Sequence, residues 1–104
     1  MQLDFIGIGT ARSGTTWLYN CLRKHPDIFM PTKKELHFFD CDKQFSKGIN
    51  YYNNYFVDRK NELIQGEFTP RYILYKESLL RIKNLYPGVK IIISLRDPVD
   101  RAWS

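Results

Sequence analysis

The sequence predicts an α/β fold built on a mainly parallel sheet. Short apolar runs of strand length alternate with segments of helical periodicity. The strongest of those runs, residues 89–95, is β-branched and nearly continuously apolar, as a parallel strand buried on both faces is. The best strand candidates also pass directly into polar turns followed by helix starts, so that their carboxyl ends share one edge of the sheet.

Taken in order, residues 4–9 form a short buried strand through Phe5, Ile6 and Ile8, which runs into Thr10-Ala11-Arg12-Ser13-Gly14-Thr15-Thr16. A helix follows, with Trp17, Leu18, Cys21 and Leu22 at helical spacing, and His25-Pro26 stops it. Beyond Pro31, Lys33-Lys34-Glu35-Leu36-His37-Phe38-Phe39-Asp40 leads into a polar loop. Tyr51, Tyr52, Tyr55 and Phe56 then fit one helical face, read as core rather than as a ligand cage. Residues 63–66 are a second strand, and Pro70 enforces an extended or turn conformation after it. Residues 76–85 are helical, Tyr86-Pro87-Gly88 is a turn, and the 89–95 strand is expected at the centre of the sheet. Arg96-Asp97-Pro98 closes it, with proline opening a helix over residues 99–104.

Composition bounds the partners. The 104 residues, 43% hydrophobic and 15% aromatic, suffice for one domain over 1–104 and are too few for two. A chain of this size buries only about two-thirds of its unfolded surface, and a homo-oligomer is one way to cover the rest. The net charge of +5 suits an anionic partner. Basic residues never form a run longer than two, which argues against nucleic acid. Cys21 and Cys41 lack zinc-ligand spacing and are expected as free thiols. No signal-like or membrane-length apolar segment occurs, so the expectation is a cytoplasmic protein without a membrane partner.

Gly9-x-x-x-x-Gly14-Thr15-Thr16 has the frame of a phosphate-binding loop, with threonine where the lysine of that motif stands. Backbone N–H groups of Ser13 to Thr16 at the helix start, joined by the hydroxyls of Thr15 and Thr16, can still cradle a phosphate, and Arg12 supplies a cation. The lysine that reaches the outer phosphates of a triphosphate is missing, so a 5'-phosphate carrying one transferable group fits better than ATP with magnesium. Arg96 offers a planar fork for a second phosphate, and Ser104 lies one to two turns further on.

These segments together resemble the sulfotransferases that use 3'-phosphoadenosine 5'-phosphosulfate (PAPS), especially the heparan-sulfate type and its bacterial relatives. The first loop, residues 9–18, resembles the family's 5'-phosphosulfate loop, and residues 95–104 resemble its 3'-phosphate segment. That resemblance implies that Arg12, Ser13, Gly14, Thr15 and Thr16 hold the 5' end of the donor while Arg96 and Ser104 hold the 3'-phosphate. Lys34-Glu35-Leu36-His37-Phe38-Phe39-Asp40 resembles the segment whose glutamate is the catalytic base, which implies Glu35. Gly66-Glu67-Phe68-Thr69-Pro70-Arg71-Tyr72 resembles a fourth motif lining the site.

The implied fold is a P-loop-like three-layer α/β/α arrangement, incomplete because the family's catalytic domains run to well over twice this length. The implied activity is sulfuryl transfer from PAPS to a hydroxyl or amine of a carbohydrate or small molecule, without a metal. Arg12, with Lys34 or His37, would neutralise charge on the moving group, and Glu35 would take the acceptor's proton. Phe68 departs from the lysine that some heparan-sulfate enzymes carry there, so the acceptor is left open. Two other readings are a P-loop nucleotide kinase, which the threonine at position 15 disfavours, and a non-catalytic truncated module that binds an adenine nucleotide.

Overall fold

Phe5, Ile6 and Gly7 alternate about the plane of a strand, and this alternation organises the whole chain. The computed structural model describes residues 1–9 and 15–93, Thr15 and Thr16 by backbone alone. Strand β1 (Phe5–Gly7) leads to helix α1 (Thr15–Arg23), and a short strand β2 (Ile28–Phe29) follows. Two short helices, α2 (Asp42–Phe45) and α3 (Ile49–Asn53), the latter extended by a 3-10 turn at Asn54–Phe56, precede strand β3 (Ile64–Phe68). A 3-10 turn at Pro70–Leu74, helix α4 (Lys76–Leu85) and strand β4 (Lys90–Ile92) complete the described elements. The sheet order is β2-β3-β1-β4, all parallel, with Phe5 opposite Gly66 and Lys90, and Gly7 opposite Phe68 and Ile92.

Side chains on the two faces of β1 enter different clusters. Phe5 packs with Tyr19, Met30 and Phe68, flanked by Leu18 and Leu22 of α1. Ile6 and Ile8 pack instead with Leu36, Phe38, Phe39, Tyr52, Phe56, Tyr72 and Ile82. Helix α1 therefore covers one face while α3 and α4 cover the other, giving helix, sheet and helix layers. The aromatic stripe is core, as its spacing predicts. Tyr52 is fully buried, and its ring centroid lies 4.7 Å from that of Phe38 and 5.1 Å from that of Phe39. Such pairs contribute about 0.5–1.5 kcal/mol each beyond their burial.

Several expectations are corrected. On α1 the packed residues are Leu18, Tyr19 and Leu22, whereas Trp17 and Cys21 face outward, with Trp17 71% exposed. Hydrophobicity alone misplaces that face, because Tyr19 anchors the helix by donating its hydroxyl to the Pro31 carbonyl at 3.1 Å. Strand β3 runs on to Phe68, past the expected end; strand β2 forms where no element was assigned, and helix α2 arises in the expected polar loop. The Pro70 segment resolves to a 3-10 turn with proline in its first position. Strand β4, expected in the centre, is the last strand among the described residues, and Ile91 and Ile93 are each 46% exposed. The expected strand residues Ser94 and Leu95 and the helix over 99–104 lie outside the described residues. Among the described residues no helix is long and apolar enough to cross a membrane.

Two glycines make the centre of the sheet possible. A Cβ on Gly7 would lie 2.0 Å from the Phe68 ring, and one on Gly66 would lie 2.5 Å from the Phe5 ring. Each phenylalanine thus lies over the glycine opposite it on the neighbouring strand. Gly7→Ala and Gly66→Ala should each destabilise the chain by roughly 1–3 kcal/mol through overpacking. Gly88→Ala, where the added methyl meets nothing within 4 Å, should change stability by less than about 0.5 kcal/mol in the same urea titrations.

Candidate active site

Alternation along β3 turns Gly66 and Phe68 toward α1 and sends Glu67 to the opposite face, beneath the aromatic cluster. Glu67 is 1% exposed. A buried carboxyl is tolerated only when its oxygens are hydrogen-bonded, and three hydroxyls converge on this one. Thr69 donates to Oε1 at 2.6 Å, Tyr72 lies 3.2 Å from Oε1 and 3.1 Å from Oε2, and Tyr52 donates to Oε2. Burial pushes the Glu67 carboxyl up to about 7, the three hydroxyl bonds oppose that rise, and the Asp40 charge adds to it. The same burial, together with the Glu67 charge, drives the Tyr52 and Tyr72 hydroxyls well above their ordinary range.

The same hydroxyls reach the segment after Pro31. The Leu36 amide donates to Thr69 Oγ1 at 3.1 Å, and the Phe38 amide donates to the Tyr72 hydroxyl at 3.2 Å. Both residues bury their side chains in the core. Between them His37 takes a φ of +51°, a left-handed conformation that costs a non-glycine residue about 1 kcal/mol or more. This turn brings the side chains of Glu35 and His37 to the surface, 39% and 41% exposed, with His37 Nε2 3.6 Å from Glu35 Oε2.

Asp40 orients the imidazole. A carboxylate only accepts, so Nδ1–H of His37 is the donor to Asp40 Oδ2 at 2.9 Å, and Nε2 is the nitrogen turned toward Glu35. The Asp40 side chain is 3% exposed, Arg71 Nε lies 3.8 Å from the same oxygen, and Oδ1 is buried with no hydrogen-bond partner among the described residues. Arg81 of α4 holds the following stretch, donating to the Phe39 carbonyl at 3.1 Å and to Asp42 at 2.6 Å. Lys34 extends toward α1, its Nζ 6.0 Å from the Tyr19 ring centroid.

Glu35 and His37 are therefore brought together, with Lys34 on the side of α1. Thr15 and Thr16 form the first turn of α1, beyond the carboxyl end of β1, and that turn carries no acidic residue to neutralise its N–H groups. Arg12, Ser13, Gly14, Arg96 and Ser104 lie outside the described residues. From sequence, Glu67 and Tyr72 belonged to a motif lining the site and Asp40 to the segment of the base, without individual roles, and Tyr52 was read as core. Asp40 was detectable as a carboxylate three residues after a histidine, whereas the Tyr52 contact depends on two elements meeting across the sheet face.

Residues 2–104 match the family model of the sulfotransferase domain. The chain belongs to the sulfotransferase family. It is similar to the membrane-associated sulfotransferase kil1 of Dictyostelium discoideum, 38% identical over 97% of this chain and 22% of that protein. Heparan sulfate glucosamine 3-O-sulfotransferase 3B1 of Homo sapiens is 36% identical over 93% of this chain and 24% of the relative. The crystal structure of a sulfotransferase from Alicyclobacillus acidocaldarius matches 99% of the chain at a TM-score of 0.82 and 33% identity, over 48% of its own length. The chain thus spans about a quarter of these curated sulfotransferases and about half of the solved one.

The buried carboxyl of this sulfotransferase chain has a consequence for stability. An unfolded Glu67 releases its proton near the ordinary 4.5 and the folded one near 7, so between these values the folded chain binds more protons. Stability should therefore fall as pH rises from about 4.5 to about 7, by up to roughly 3 kcal/mol from this group. Urea titrations of Glu67→Gln at pH 5 and pH 8 should lack that component of the decline.

Proposed function

We propose that the chain carries the donor-binding and proton-accepting half of a PAPS-dependent sulfotransferase acting on a carbohydrate hydroxyl. The observation that carries this reading is the surface pair Glu35–His37, backed by the buried Asp40, beside the carboxyl ends of β1 and β3 in a chain of the sulfotransferase family. Several relatives are heparan sulfate glucosamine 3-O-sulfotransferases, which supports a sugar hydroxyl as the acceptor class.

The residues present suit the donor. The first turn of α1 offers unopposed N–H groups and two hydroxyl-bearing residues to a 5'-phosphate, and Lys34 adds a cation on that side. In the proposal Arg12, Ser13, Gly14, Thr15 and Thr16 hold the 5' end, and Arg96 and Ser104 take the 3'-phosphate. Nothing larger than one transferable group need be held, which is why threonine can replace the loop lysine.

At the acceptor, Glu35 accepts the hydroxyl proton as the oxygen attacks sulfur. The new O–S bond forms while the bond from sulfur to the 5'-phosphate oxygen breaks, and the electron pair leaves on adenosine 3',5'-bisphosphate. His37, oriented by Asp40, pairs with Glu35 when both of its ring nitrogens are protonated and so offsets negative charge beside the sulfonate. Arg12 stabilises the departing phosphate.

Calorimetric titration tests the donor site. The chain should prefer 3'-phosphoadenosine 5'-phosphate over both 5'-AMP and ATP with magnesium, and Arg12→Ala and Arg96→Ala should each weaken that binding by roughly 1.5–3 kcal/mol. A preference for ATP would replace this reading with a kinase one, and unchanged affinity in both variants would remove the site assignment. Glu35→Gln should keep the nucleotide affinity while lowering transfer by about two to four orders of magnitude, and retained turnover would reject the base.

A further inference from the structure

The Glu67 carboxyl lies under the Glu35–His37 pair without touching it, and what joins them is a pair of hydrogen-bond relays. One runs from the Leu36 amide through Thr69 Oγ1 to Glu67 Oε1, with steps of 3.1 and 2.6 Å. The other runs from the Phe38 amide through the Tyr72 hydroxyl to the same carboxyl, with steps of 3.2 and 3.1 Å. The two amides flank His37 on either side, and His37 is the non-glycine residue at positive φ among the described residues. Such a conformation persists only where the surroundings over-determine it.

We propose that Glu67 is a positioning residue for the reaction, holding the left-handed His37 turn through Thr69 and Tyr72 so that Glu35 and His37 stay paired and face the acceptor. This inference rests on the proton-accepting role given to Glu35 above. The relay explains why a carboxyl is retained in an aromatic core where an apolar residue would avoid its desolvation. One acceptor group aligns hydroxyls from three places, namely α3, the residue after β3 and the Pro70 turn, and two of those hydroxyls still have lone pairs for the loop amides. Tyr52, whose hydroxyl meets Glu67 and no loop amide among the described residues, fixes the carboxyl itself.

The test compares Thr69→Val and Tyr72→Phe, each of which deletes one relay hydroxyl, with Glu67→Ala, the rescue variant Thr69→Ser, and the distant core change Ile82→Val. Amide hydrogen exchange followed by NMR should speed at least tenfold at Leu36 in Thr69→Val, at Phe38 in Tyr72→Phe and at both in Glu67→Ala. Thr69→Ser and Ile82→Val should keep the parent rates. Sulfuryl transfer should lose at least tenfold in kcat in Thr69→Val and Tyr72→Phe, with the affinity for 3'-phosphoadenosine 5'-phosphate within twofold of the parent, and Thr69→Ser should restore it. Unchanged exchange at both amides, or an unchanged kcat in both relay variants, overturns the positioning role while leaving the sulfotransferase reading intact. A parent chain that neither binds the nucleotide nor transfers overturns that reading, and with it the catalytic purpose of the relay; the exchange rates still decide whether the relay holds the turn.

Discussion

A carboxyl group removed from water must be answered by donors, and in this chain that requirement orders much of the architecture. Glu67 lies near the carboxyl end of β3, buried beneath the aromatic cluster and met by three hydroxyls. Tyr52 gives Glu67 one of its three hydroxyl donors and so ties α3 to the sheet. Thr69 and Tyr72 are held in the same way, which ties the turn after β3 to the segment between Pro31 and Asp40. The aromatic packing supplies the larger energy, but it is non-directional, and the hydrogen bonds select one arrangement of the rings.

The sheet imposes a division of labour through its alternation. Residues of one parity along β1 and β3 face α1, and residues of the other parity face α3 and α4. The start of α1 and the loop bearing Glu35 thus approach a common edge from opposite faces. That geometry suits a transfer reaction, in which a donor anion and an acceptor hydroxyl must meet without competing for the same groups. Close contact of β1 and β3 is a precondition, and the reciprocal packing of Phe5 over Gly66 and Phe68 over Gly7 provides it. Phe68 is committed to this packing on the α1 face, away from Glu67, which accounts for an apolar residue at that position.

Much of this was legible in the residues. Helix α4 follows from its spacing over residues 76–85, and the parallel sheet follows from apolar runs that end in helix starts. The pairing of Glu35 with His37 was available as two functional groups two residues apart. The role of Asp40 needed the left-handed turn to fold His37 back on it, and the relay from Glu67 spans more than thirty residues, so no local pattern announces it. The buried face of α1 was misassigned because hydrophobicity favoured Trp17 over Tyr19, although a tyrosine with a partner for its hydroxyl buries readily.

By itself the sequence determined the long strand and helix segments and offered candidates for a phosphate loop and a proton acceptor, because these depend on neighbours within one turn or one strand. Tertiary structure decided which of them lie side by side. It placed β1 between β3 and β4, left β4 at the edge of the described sheet, and brought Thr69 and Tyr72 under the His37 turn. The physical reason is that burial and hydrogen-bond satisfaction are properties of a site assembled from distant segments, and a linear pattern carries only the local half of that information.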